Sequence, residues 1–164
     1  MLFKLKILVL FLIAPFLSAS GFAQSSSECR GPELHSMIGT DLSNLRKEKL
    51  EANFARAMGG AEVYAYYKDD ILHVITAAFK STAGQADMNF YLKNRDDFLM
   101  EYHIVQNSNF FDEPDSVVLT DEKSYFHVCG GVLLSPAFGG IIDEEIFENM
   151  KIVFDVILTE IDGN

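Results

Sequence analysis

Glu101 and His103 stand two residues apart in Phe98–Gln106, a run of alternating strand character. That spacing places a carboxylate and an imidazole on the same face of a strand. The same alternation in neighbouring runs adds Asn89 and Tyr91, then Tyr125 and His127, and brings His73 to the surface one strand further out. The resulting set of His73, Asn89, Tyr91, Glu101, His103, Tyr125 and His127 is the one titratable constellation the chain assembles, and it is the expected ligand-binding face. In a suitable register His103 and His127 on adjacent strands approach to about 5 Å between backbones. Glu101 would complete a His/His/carboxylate metal pattern. Ordinary aromatic and histidine surface on a half-exposed sheet accounts for these three residues more simply, so no cofactor is expected.

Other chemistry finds less support. The chain contains no Gly-x-Ser-x-Gly elbow, no His-Glu-x-x-His pair and no phosphate-cradling glycine loop. Gly130-Gly131 and Gly139-Gly140 lack the Lys and Ser/Thr that a phosphate loop needs, so they are turns. The acidic pairs Asp69-Asp70, Asp96-Asp97 and Asp112-Glu113 fall in turn segments, where solvation is their ordinary role. The balance leans away from an enzyme, and no catalytic residue is assigned.

The elements that must position the face are mostly strands. From Glu62 the apolar period is two, which predicts Val63–Tyr67, Ile71–Phe79, Asp87–Lys93, Phe98–Gln106, a short extended piece at Val117–Leu119, Tyr125–Cys129 and Val132–Leu134. Lys68-Asp69-Asp70, Asn94-Arg95-Asp96-Asp97 and Gly130-Gly131 supply turns, while Lys80–Ala86 and the acidic Asn107–Ser116 read as loops. Short sequential connections predict an antiparallel meander of five or six strands. In Ile71–Phe79 two faces compete: Leu72, Val74, Thr76 and Ala78 against Ile71, Ile75 and Phe79. If the first set is inside, His73 points outward.

Helices are expected on either side of the meander. Thr40 or Asp41 can cap one running to Met58, with Leu42, Leu45, Leu50, Phe54 and Ala57 as its stripe and Arg46, Lys47, Lys49 and Arg56 as its basic face. At the other end Asp143, Glu144 and Glu145 suit a helix start. Ile146, Met150, Val153, Ile157 and Ile161, widened by Phe147, Phe154 and Leu158, then form an apolar face to bury on the sheet. The expected fold is α+β: a signal peptide over 1–23, an irregular arm over 24–40, and one domain over 41–164.

Residues 1–23 carry the signal-peptide pattern: Lys4 and Lys6, an apolar run from Ile7 to Leu17, then small residues up to Ala23. The run is short for a membrane span, which needs about 20 apolar residues. Export makes a disulfide between Cys29 and Cys129 the expected state of the only two cysteines. It would close a loop of about 100 residues, for which chain entropy assigns about 4–5 kcal/mol.

The 164 residues carry 24 acids against 13 Lys and Arg, a formal charge of −11; cleavage removes two lysines and moves it to −13. Such acidity disfavours nucleic acid and anionic membrane, and favours a cationic protein partner. The 49% hydrophobic fraction excludes a disordered acidic tail. In being small, exported and β-rich the chain is similar to the periplasmic lysozyme inhibitors, although Ser81–Phe90 departs from their Ser-Gly…Tyr loop and no family assignment follows. The expected function is an exported, non-catalytic binding or interaction module, periplasmic or secreted, with inhibition of a cationic protein as one form. The alternative is a small-ligand-binding protein or hydrolase using the His/Tyr/Glu face.

Overall fold

The computed structural model describes residues 31–51, 61–81, 84–108, 117–136 and 143–163. The expected signal peptide, Cys29, Arg56 and residues 109–116 of the expected 107–116 loop lie outside these residues.

Among the described residues seven antiparallel strands follow one another in chain order across one sheet: β1 (Arg46–Leu50), β2 (Glu62–Lys68), β3 (Ile71–Ser81), β4 (Gly84–Leu92), β5 (Phe98–Asn107), β6 (Val118–Cys129) and β7 (Val132–Pro136). A short helix, α1 (Gly31–His35), and a 3-10 turn at Leu42–Asn44 precede the sheet, and α2 (Glu144–Gly163) follows it. Among the described residues no helix is long and apolar enough to cross a membrane.

The turns obey their residue types. Asp69 and Asp70 (φ 50° and 62°) close β2 to β3, and Gly130 and Gly131 (φ 57° and 76°) close β6 to β7. Positive φ at both central residues matches the strand twist in two-residue hairpins. Between β4 and β5 the Asn94 side chain accepts from the backbone N–H groups of Asp96 and Asp97, at 2.8 Å each.

The helix-facing side of the sheet holds the main core. One rung runs Ala65, Ile75, Phe90, Met100 and Phe126 across β2 to β6. α2 is capped by Asp143, which accepts from the Ile146 N–H, and it buries Phe147, Met150, Val153, Phe154, Ile157 and Leu158 at helical spacing. Phe154 stacks on Phe98 at 4.3 Å between centroids and tilts against Phe90 at 5.0 Å. A paired contact from Arg95 to Asp162 (2.5 and 2.6 Å) ties the β4–β5 turn to the far end of the helix.

Four expectations are corrected. Residues 46–50 form an edge strand paired to β2, not the helix expected from Asp41; Asp41 does cap, but only the 3-10 turn, through the Ser43 N–H. The basic side chains stabilise this state by lying over strand tyrosines, Lys47 Nζ 3.7 Å from the Tyr64 ring centroid and Arg46 4.3 Å from that of Tyr67. β6 begins at Val118, so the short extended piece and the next strand are one element of 12 residues. Much of the loop expected at Lys80–Ala86 is strand, since β3 runs to Ser81 and β4 starts at Gly84. The arm is also more ordered than expected: from Gly31 it forms α1 and buries Leu34.

That arm gives the sheet a second core. Leu34, Met37, Ile38, Leu42 and Leu45 close over Tyr66, Val74, Tyr91 and Leu99 on the side away from α2. β3 serves both cores because of a bulge. Tyr67 pairs with Leu72 but Tyr66 pairs with Val74, so His73 is the extra residue and the side-chain phase inverts there. Leu72, Ile75 and Phe79 therefore join the helix-side core while Val74 joins the arm-side core, and neither simple alternation describes the strand.

Candidate functional site

Among the described residues the arm covers one part of the sheet face, and the rest, from Gln85 and His103 to Asp121, is half-buried to exposed. At their border Tyr64, Thr76, Asn89, Glu101 and Tyr125 form one cross-strand rung from β2 to β6. Glu101 is only 6% exposed, and both its oxygens are occupied. Oε2 accepts from Tyr91 Oη at 2.8 Å and from Asn89 Nδ2 at 3.1 Å. Oε1 accepts from Tyr125 Oη at 3.3 Å and lies 3.6 Å from Lys123 Nζ. A buried carboxylate needs such donors to offset lost hydration.

The phenols answer to this environment. Burial, then the hydrogen bond to Glu101 and its charge, pushes Tyr91 far above the ordinary phenol range, while the Gly39 backbone amide acts the other way. Tyr125 moves up for the same reasons, burial first. The network is thus a proton-retaining, donor-saturated arrangement that fixes side chains; it leaves no free carboxylate oxygen for a metal.

The next rung into the open region holds Asp87, His103 and Lys123. His103 Nε2 lies 2.8 Å from Asp121 Oδ1, and its Nδ1 lies 3.9 Å from Asp87 Oδ2. Gln85 Nε2 donates to Asp87 at 2.7 Å and holds that carboxylate in place. The Asp121 side chain is 66% exposed, so the imidazole sits between a fixed acid and a solvated one.

The remaining two candidates are elsewhere. His127 pairs with Leu99, under the arm, where its ring meets that of His35. His103 pairs with Lys123, four residues along β5 from Leu99, which separates the two histidines by roughly 13 Å of strand rise. The register therefore does not gather Glu101, His103 and His127, and no group of three metal-capable side chains is found among the described residues. His73, re-aimed by its bulge, lines a cavity of about 590 Å³ with Asp41, Arg46, Tyr67, Lys68 and Asp70. Burial and then the Lys68 charge lower its pKa.

Four participants escaped the sequence reading. Asp87 shares the alternation of Asn89 and Tyr91 and was legible in principle. Asp121 and Lys123 required the true start of β6, and His35 required knowledge that the arm folds back. Comparison with protein families, curated proteins and solved structures finds no match.

Proposed function

We propose that this protein is an exported, non-catalytic binding module that engages a cationic protein through the uncovered part of its sheet face. One observation carries the proposal: Asp87 and Asp121 flank His103 in the open region, beside a Glu101 network that is internally satisfied. A surface so arranged offers carboxylates to a partner's lysine or arginine without itself containing an activated nucleophile. The formal charge, −11 for the full chain and −13 once Lys4 and Lys6 leave with the signal peptide, would steer such a partner. Export through the signal peptide of residues 1–23 and a bridge from Cys29 to Cys129 belong to the same proposal. Cys129 is not a free thiol, which supports the bridge.

The test is calorimetric titration of the mature chain against purified cationic and acidic exported proteins at two salt concentrations. Stoichiometric binding to a cationic protein, weakened by salt and lost in an Asp87→Lys/Asp121→Lys double variant, is expected. Binding that survives the double variant unchanged would overturn it. The His73 cavity favours a second reading, a small-ligand-binding protein. A ligand displaced by His73→Ala but indifferent to the two aspartates would support that reading instead.

A further inference from the structure

The arm meets the sheet through a pair of histidines that the binding face does not use. His35 ends α1, and His127 lies beneath it on β6; their rings meet edge-on at 6.5 Å between centroids and 72° between planes. His127 is 8% exposed, and its Nε2 has no hydrogen-bond partner among the described residues. An unpartnered buried imidazole nitrogen is tolerable while neutral and costly once it carries a proton.

We propose that His35 and His127 act as a proton-operated latch, holding the arm of residues 31–45 on the sheet at neutral pH and loosening it in acid. The groups around His127 favour this direction. From α1 comes His35, whose charge opposes a proton on His127. From β5 comes Leu99, which offers no charge. From β7, the run Val132–Pro136 contains no titratable side chain. Among the described residues only Asp97, in the β4–β5 turn, attracts an imidazolium there, and its carboxylate is engaged by the Gly130 N–H at 2.8 Å and Asn94 Nδ2 at 2.9 Å. Burial and then His35 lower the His127 pKa more than Asp97 raises it.

The sign follows from linkage. A histidine whose folded pKa is depressed contributes stability fully present above its unfolded pKa, about 6.5, and lost as pH falls through the folded value. The loss falls on the contact between arm and sheet. Opening there uncovers Tyr66, Tyr91 and Leu99 and removes the Gly39 amide from the Tyr91 hydroxyl. The α2 side of the sheet has no part in the contact and stays closed.

Amide hydrogen exchange on the full mature chain, corrected for intrinsic rates, tests the latch. Opening at Gly39, Leu42 and Leu45 should rise severalfold between about pH 7.5 and about pH 5.5, while Ile157 in α2 stays protected. His35→Gln, on the half-buried arm, should flatten that step, as should His127→Gln. An arm whose opening does not change with pH, a step retained in His35→Gln, or parallel exposure of Ile157 would each overturn the proposal.

Discussion

Tyr91 donates a 2.8 Å hydrogen bond to Glu101, and the pair marks the line where the arm stops and the open sheet begins. Glu101 therefore holds the border of the binding face in place, serving as an acceptor for groups on both neighbouring strands, β4 and β6. Replacing it by Ala strands the Asn89, Tyr91 and Tyr125 donors and should cost about 1–3 kcal/mol. Glu101→Gln keeps an acceptor oxygen and should cost less. Urea unfolding of the two variants checks the order.

Tyr91 holds its proton when folded well past the range of a free phenol. Folding stability from this group is present below the unfolded phenol pKa, about 10, and falls as pH rises above it. A spectrophotometric alkaline titration should show a tyrosine that ionises after the others, only as the protein unfolds. Tyr91→Phe should remove that late step.

Asp97 has the opposite sign. The Gly130 backbone N–H, then the Asn94 side chain, lowers its pKa and links the β4–β5 turn to the β6–β7 turn. Its contribution is present above the unfolded carboxyl pKa and lost as pH falls through the folded one. The stability gap between wild type and Asp97→Asn should narrow steadily on acidification, as read from denaturant midpoints across pH.

Phe154 and Ile152 share a helix but not a fate. Phe154 is sealed between Phe98 and Phe90, so Phe154→Ala should cost about 3–5 kcal/mol. Ile152 is 60% exposed, and Ile152→Ser should change stability by no more than about 0.5 kcal/mol. Thermal unfolding of both variants measures the contrast.

Gly84 starts β4 where β5 leaves no room. A Cβ there would lie 2.7 Å from the Val105 carbonyl oxygen, a backbone atom that cannot swing aside. Gly84→Ala should lower the melting temperature and cost about 1–3 kcal/mol, with raised amide exchange concentrated at the Gly84–Gln106 end of the pair.

The amino-acid pattern by itself determined what depends on neighbours in the chain. Period-two alternation marked the meander, Asn94 to Asp97 and Gly130-Gly131 marked its turns, and Asp143 with the Phe147–Leu158 stripe marked α2. It also placed Asn89, Tyr91, Glu101 and Tyr125 on one face, because alternation within a strand is a local property. Tertiary structure decided everything that depends on pairing between distant segments. Arg46–Leu50 became a strand because an edge of β2 and two tyrosine rings were there to receive it. One extra residue, His73, inverted the phase of β3, and the β5–β6 register parted His103 from His127. The arm's return over the sheet turned part of an expected open surface into a second core. Each of these rests on contacts across tens of residues, whose free energy no local window of the chain contains.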